Sequence, residues 1–75
     1  MDKKTLQKII GERIRLLREE KGLSQQVLAS MCDFEKSNMS RLEAGNTNPT
    51  IYTLHKISTA LDISLIELFE HSSLN

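Results

Sequence analysis

Lys36, Ser37, Asn38 and Arg41 fall within six residues of one another. Each side chain carries a hydrogen-bond donor, and none is placed to make or break a covalent bond. Their chemistry is recognition. Arg and Lys donate to guanine O6 and N7, Asn pairs with adenine, and Ser serves either. Met39 and Leu42, spaced i and i+3, form an apolar pair on a helix. Lys36 and Arg41 straddle the face opposite that pair, and Ser37 shares it.

Two flanking groups suit phosphate. Gln25 and Gln26 open an earlier helix, where a side-chain amide and a backbone N–H can bind one phosphate with help from the helix dipole. Asn46, Thr47 and Asn48 offer short polar side chains and backbone N–H groups for a second. Catalysis finds no support. His55 and His71 are far apart, Cys32 has no base near it in sequence, and no spacing resembles a zinc site or a phosphate loop. The expectation is a non-enzyme with no metal, cofactor or small-molecule ligand. Cys32 reads as a small core residue and His55 as a partly exposed packing residue.

These groups must be positioned by helices. Leu6, Ile10, Ile14 and Leu17 make one helical stripe over about Thr5 to Lys21, and Gly22 ends it. Ser24 caps a second helix from Gln25 to Met31 or Cys32, with Leu28 and Cys32 on its buried face. A third runs from about Lys36 to Ala44 and stops at Gly45. Asn46-Thr47-Asn48-Pro49 is a turn. Thr50 caps a fourth helix with Ile51, Leu54, Ile57 and Leu61 at helical spacing. Ser64-Leu65-Ile66-Glu67 has the pattern of a capping box, opening a fifth helix through Phe69 or Glu70. No strand pattern competes, so the fold class is all-α.

The chain of 75 residues suits one small domain over 1–75, with its core at about 6–70 and a frayed tail at 71–75. We expect no ligand-binding or protease domain beside it. One cysteine and no visible signal peptide lead us to expect a cytoplasmic protein, and no apolar run could span a membrane. The formal net charge is zero, yet residues 1–41 carry nine basic and six acidic side chains, against one and four in residues 42–75. The basic half is the side expected to meet an anionic partner.

The ordered text Ile14-Arg15-Leu16-Leu17-Arg18-Glu19-Glu20-Lys21-Gly22-Leu23-Ser24-Gln25, Leu28-Ala29, Met39-Ser40-Arg41-Leu42-Glu43-Ala44-Gly45, Asn48-Pro49-Thr50, Leu54, Ile57, Ala60-Leu61 and Leu65 resembles the helix-turn-helix domain of the lambda repressor and Cro type, the XRE family. The resemblance covers about residues 9–70. It implies a compact five-helix bundle, a phosphate-binding role for Gln25, and base-facing positions at Lys36, Ser37, Asn38 and Arg41. It also implies a salt bridge between Arg18 and Glu43, since both sit among apolar residues where an unpaired charge is costly. In the family, Gly usually stands at Asp33 and a Ser or Thr cap at Glu35. Two starts for the third helix therefore remain open: Lys36 after Glu35, or an earlier start capped by Asp33.

The resemblance further implies double-stranded DNA as partner and sequence-specific transcription regulation as function. Ile66 is apolar where the family is often polar, beyond a stripe already filled by Leu65, Leu68 and Phe69. We therefore expect a homodimer through Ile66, Phe69 and Glu70, reading an inverted repeat with its two recognition helices about 34 Å apart. The alternative is a protein-interaction module, such as a DNA-binding antitoxin that also grips a toxin.

Overall fold

The computed structural model describes residues 1–70. They form five helices in the order α1 (Lys3–Glu20), α2 (Gln25–Met31), α3 (Lys36–Glu43), α4 (Ile51–Ala60) and α5 (Leu65–Phe69). The expected tail at 71–75 lies outside the described residues. Side chains start most of the helices. Asp2, Ser24, Thr50 and Ser64 each accept the backbone N–H three residues on. At α5 the box is reciprocal, with Glu67 accepting the Ser64 N–H at 2.9 Å. Those bonds from Ser64 hold the Glu67 carboxyl below its ordinary pKa.

α1 begins at Lys3 rather than near Thr5, because Asp2 caps it by accepting the Thr5 N–H at 2.8 Å. α3 begins at Lys36, with Glu35 at the cap position and no side-chain bond there. Asp33 is not a cap. It ends α2 with φ of 63°, and the Phe34 N–H closes onto the Ala29 carbonyl at 2.8 Å. Asp33 thus does the work of the family's glycine, at the steric cost any side chain bears in the left-handed region. Asp62 ends α4 in the same way, with φ of 59°.

α1 packs on α3 and α5, α2 on α3 and α4, and α4 on α5. Ile14, Leu28, Met39, Ile57, Leu61 and Leu68 are fully enclosed between them. Each such side chain contributes about 1.5–3 kcal/mol through burial. Cys32 is buried in this core. Leu6 departs from the expected stripe. It is 50% exposed, because it lines an open apolar groove with Ile10, Pro49, Ile51 and Phe69 rather than the closed core that covers Ile14 and Leu17. His55 is exposed and stands beside Tyr52.

The crossing of α1 over α3 requires a missing side chain. A Cβ on Gly11 would stand 2.4 Å from the Leu42 carbonyl oxygen and 2.6 Å from that of Glu43. Gly45, with φ of 79°, has Lys8 against it on the same side. Gly11 to Ala in a helix ordinarily stabilises by about 1 kcal/mol. Here the sign reverses. We expect Gly11→Ala to lower the urea unfolding free energy by about 1–3 kcal/mol, the range for overpacking. An unchanged or higher unfolding midpoint would contradict this crossing.

Candidate nucleic-acid interface

α3 has two unlike sides. Met39, Leu42 and Glu43 are buried. Lys36, Ser37, Asn38, Ser40 and Arg41 are all exposed. At 100° per residue, Ser37 and Arg41 fall near the middle of the open face, while Lys36, Asn38 and Ser40 lie toward its edges. Ser40 escaped the sequence reading. Its signal was plain spacing, four from Lys36 and three from Ser37. Arg41 donates from Nη2 to Asn38 Oδ1, so these two side chains form a unit whose outward groups are guanidinium and amide N–H.

The buried side of α3 carries a charge. Arg18 of α1 grips the Glu43 carboxylate with two bonds, Nε to Oε2 at 2.7 Å and Nη2 to Oε1 at 3.1 Å. Its third donor, Nη1, reaches the Leu23 carbonyl at 2.7 Å. One guanidinium therefore joins α1, the α1–α2 turn and the end of α3. The Glu43 side chain is 2% exposed, so its negative charge depends on this pairing. Gln25 of α2 joins the same carboxylate, with Nε2 donating to Oε1 at 2.9 Å. Gln26, its neighbour, is exposed.

Beyond α3, Asn46 and Asn48 are exposed and Thr47 half-buried. The Asn46 backbone N–H, expected to be free for phosphate, instead donates to the Arg41 carbonyl at 2.9 Å. That bond closes the C-terminus of α3 around Gly45, which leaves Asn46 only its side chain. Lys4, which the sequence reading passed over, crosses from α1 to this loop. Its ammonium donates to the Gly45 carbonyl at 3.0 Å and to Asn46 Oδ1 at 2.7 Å. A helix C-terminus is negatively polarised, and Lys4 offsets that charge. No sequence-local pattern links residues 41 positions apart, so only the fold reveals this cation.

The remaining expected residues lie elsewhere. Ile66 is 74% exposed, and Phe69 and Glu70 are exposed beside it. Arg13 joins α1 to this end by donating from Nη2 to the Glu67 carbonyl at 3.1 Å. An apolar groove lined by Leu6, Ile10, Pro49, Ile51 and Phe69 adjoins it. Among the described residues no group of side chains could hold a metal ion, and no helix is long and apolar enough to cross a membrane.

A short helix pinned by one face and bearing polar side chains on the other, beside a second helix across a tight turn, defines a DNA-binding helix-turn-helix. The family model described as Helix-turn-helix matches residues 14–68. The chain belongs to this XRE-type family of DNA-binding transcriptional regulators. It is similar to the HTH-type transcriptional regulator y4dJ of Sinorhizobium fredii, 38% identical over 63 residues, which are 84% of this chain and 82% of that protein. It is 41% identical over 63 residues to the regulator SinR of Bacillus subtilis, covering 83% of this chain but 57% of SinR.

Among solved structures, the restriction–modification controller protein C.AhdI of Aeromonas hydrophila superposes with a TM-score of 0.88 at 38% identity. That match covers 92% of this chain and all of C.AhdI. SinR in complex with DNA superposes with a TM-score of 0.75 at 42% identity, over 81% of this chain and 98% of that one.

Removal of one partner from a buried ion pair strands the other. Arg18→Leu should cost about 3–5 kcal/mol in chemical unfolding, well above the effect of a lost surface pair. A loss under about 1 kcal/mol, the level of an exposed pair, would mean that Glu43 finds solvent or another cation.

Proposed function

We propose that this chain is a sequence-specific transcriptional regulator that binds an inverted-repeat operator as a homodimer, with α3 in the major groove. One observation carries the reading: α3 is fixed by Met39, Leu42 and Glu43, and its other face holds only polar or cationic side chains apart from Ala44. An α-helix with its side chains is about 10–12 Å across, which fits the major groove of B-DNA, about 12 Å wide. Lys36, Ser37, Asn38 and Arg41 read base edges, and Ser40 lies among them. Gln25 and Gln26 hold one phosphate. Asn46, Thr47 and Asn48 hold another, with Lys4 behind them.

The partners of this reading are double-stranded DNA and a second copy of the chain. Ile66, Phe69 and Glu70 form the dimer contact, supported by the exposure of two large apolar side chains on one short helix. The two-fold axis then sets paired α3 helices about 34 Å apart. The full-length likeness to C.AhdI supports a regulator of the controller type, among the phage-type repressors and mobile-element regulators of similar size.

Selection of bound duplexes from a random pool tests the reading. A palindromic motif with half-sites about one helical turn apart is the expected result; recovery of unenriched sequence would refute it. Arg41→Ala should relax preference at one position of each half-site, costing about 1–3 kcal/mol there, without lowering the unfolding midpoint. An identical motif from the variant would remove Arg41 from the base-reading set. Ile66→Glu should shift micromolar protein toward monomer in sedimentation and weaken operator binding. Equal masses for variant and parent would place the dimer contact elsewhere.

A further inference from the structure

The geometry points to Glu43 as a positioning residue that sets which end of the Gln25 amide faces the DNA. This rests on the proposed contact between Gln25 and a phosphate. An amide side chain has a donor end and an acceptor end of nearly equal size, and either can face outward. A phosphate accepts hydrogen bonds and donates none, so only the donor end serves it.

The carboxylate of Glu43 is likewise an acceptor. It is held from α1 by two bonds of Arg18 and is almost wholly enclosed. Gln25 Nε2 meets it at 2.9 Å. Rotating the Gln25 amide by half a turn would set its carbonyl oxygen against that carboxylate, in a half-buried site. The lost bond and the facing acceptors oppose this state.

The nitrogen end is thus fixed with one N–H on Glu43. The second N–H of the planar group diverges from the first and is free to meet a phosphate oxygen. Glu43 lies on the recognition helix and Gln25 on the helix before it. The bond therefore joins the phosphate clamp to the element that reads bases. Glu43 touches no DNA; it acts through Gln25.

A double-mutant cycle on operator binding tests the assignment. Glu43→Asp keeps the charge that Arg18 requires and withdraws the carboxylate from Gln25 by one methylene. It should weaken binding about tenfold, the worth of a hydrogen bond to a charged group. In a Gln25→Ala background the same change should weaken binding by less than about twofold, because the coupled pair is already broken. Equal losses in both backgrounds would make Glu43 purely structural and overturn the assignment, as would no loss in either.

If Gln25→Ala alone binds as tightly as the parent, the phosphate contact itself fails and the assignment falls with it. That outcome differs from a loss caused by Gln25→Ala and none by Glu43→Asp, which overturns the positioning role alone. The unaltered protein supplies a readout independent of the variant's folding. In nitrogen-15 spectra, one Gln25 Nε2 proton should exchange slowly with water in the free protein, and the second only in the DNA complex. Equally fast exchange of both in the free protein would overturn the assignment.

Discussion

Glu43 is an acid buried at the foot of the recognition helix, and most of the architecture can be traced to how its charge is held. Two bonds from Arg18 do it. That pairing demands that α1 lie close against the end of α3, closer than a methyl group at Gly11 would permit. It also draws in Leu23 and Gln25, so the α1–α2 turn and the start of α2 are located by the same two side chains. A buried pair of this kind adds little net stability over a well-packed apolar one. What it supplies is geometry, because a guanidinium fork accepts a carboxylate in few orientations.

Net neutrality then loses its force as an objection to DNA binding. Affinity for DNA depends on cations and donors at the contact surface rather than on the sum over the chain. Arg15 is occupied with Glu12 and Glu19 along α1, and Arg18 is buried. Cations near α3 include Lys36, Arg41 and, across the fold, Lys4. The acidic half of the sequence supplies α4 and α5, with Ile66 and Phe69 exposed on α5.

Local chemistry was legible where a residue acts on its own neighbours. The caps Ser24, Thr50 and Ser64, the stops at Gly22 and Gly45, and the burial of Met39 and Leu42 follow from residue type and spacing alone, whereas the buried Glu43 was legible only through the family resemblance. Asp33 and Glu35 left the start of α3 open because each departs from the usual residue, and only the backbone decides between two poor candidates. The left-handed turn at Asp33 consumes that residue and leaves Glu35 as the uncapped boundary. Features that depend on distant contacts were hidden. Gly11 looks like an unfavourable helix residue until α3 is laid against it. Lys4 looks like a solvated charge until its loop partner arrives. The Asn46 N–H looks free until α3 closes on it.

In the proposed function α3, the first residues of α2 and the loop after α3 form one DNA-facing surface, anchored through Glu43. Titration of nitrogen-15-labelled protein with a selected operator duplex tests that claim most directly. The largest shifts are expected at Gln25, Lys36, Ser37, Ser40, Arg41 and Asn46 to Asn48, with the Arg18 side chain moving along with Gln25. Shifts centred instead on α4 and the Ile66 face, with α3 unperturbed, would contradict it.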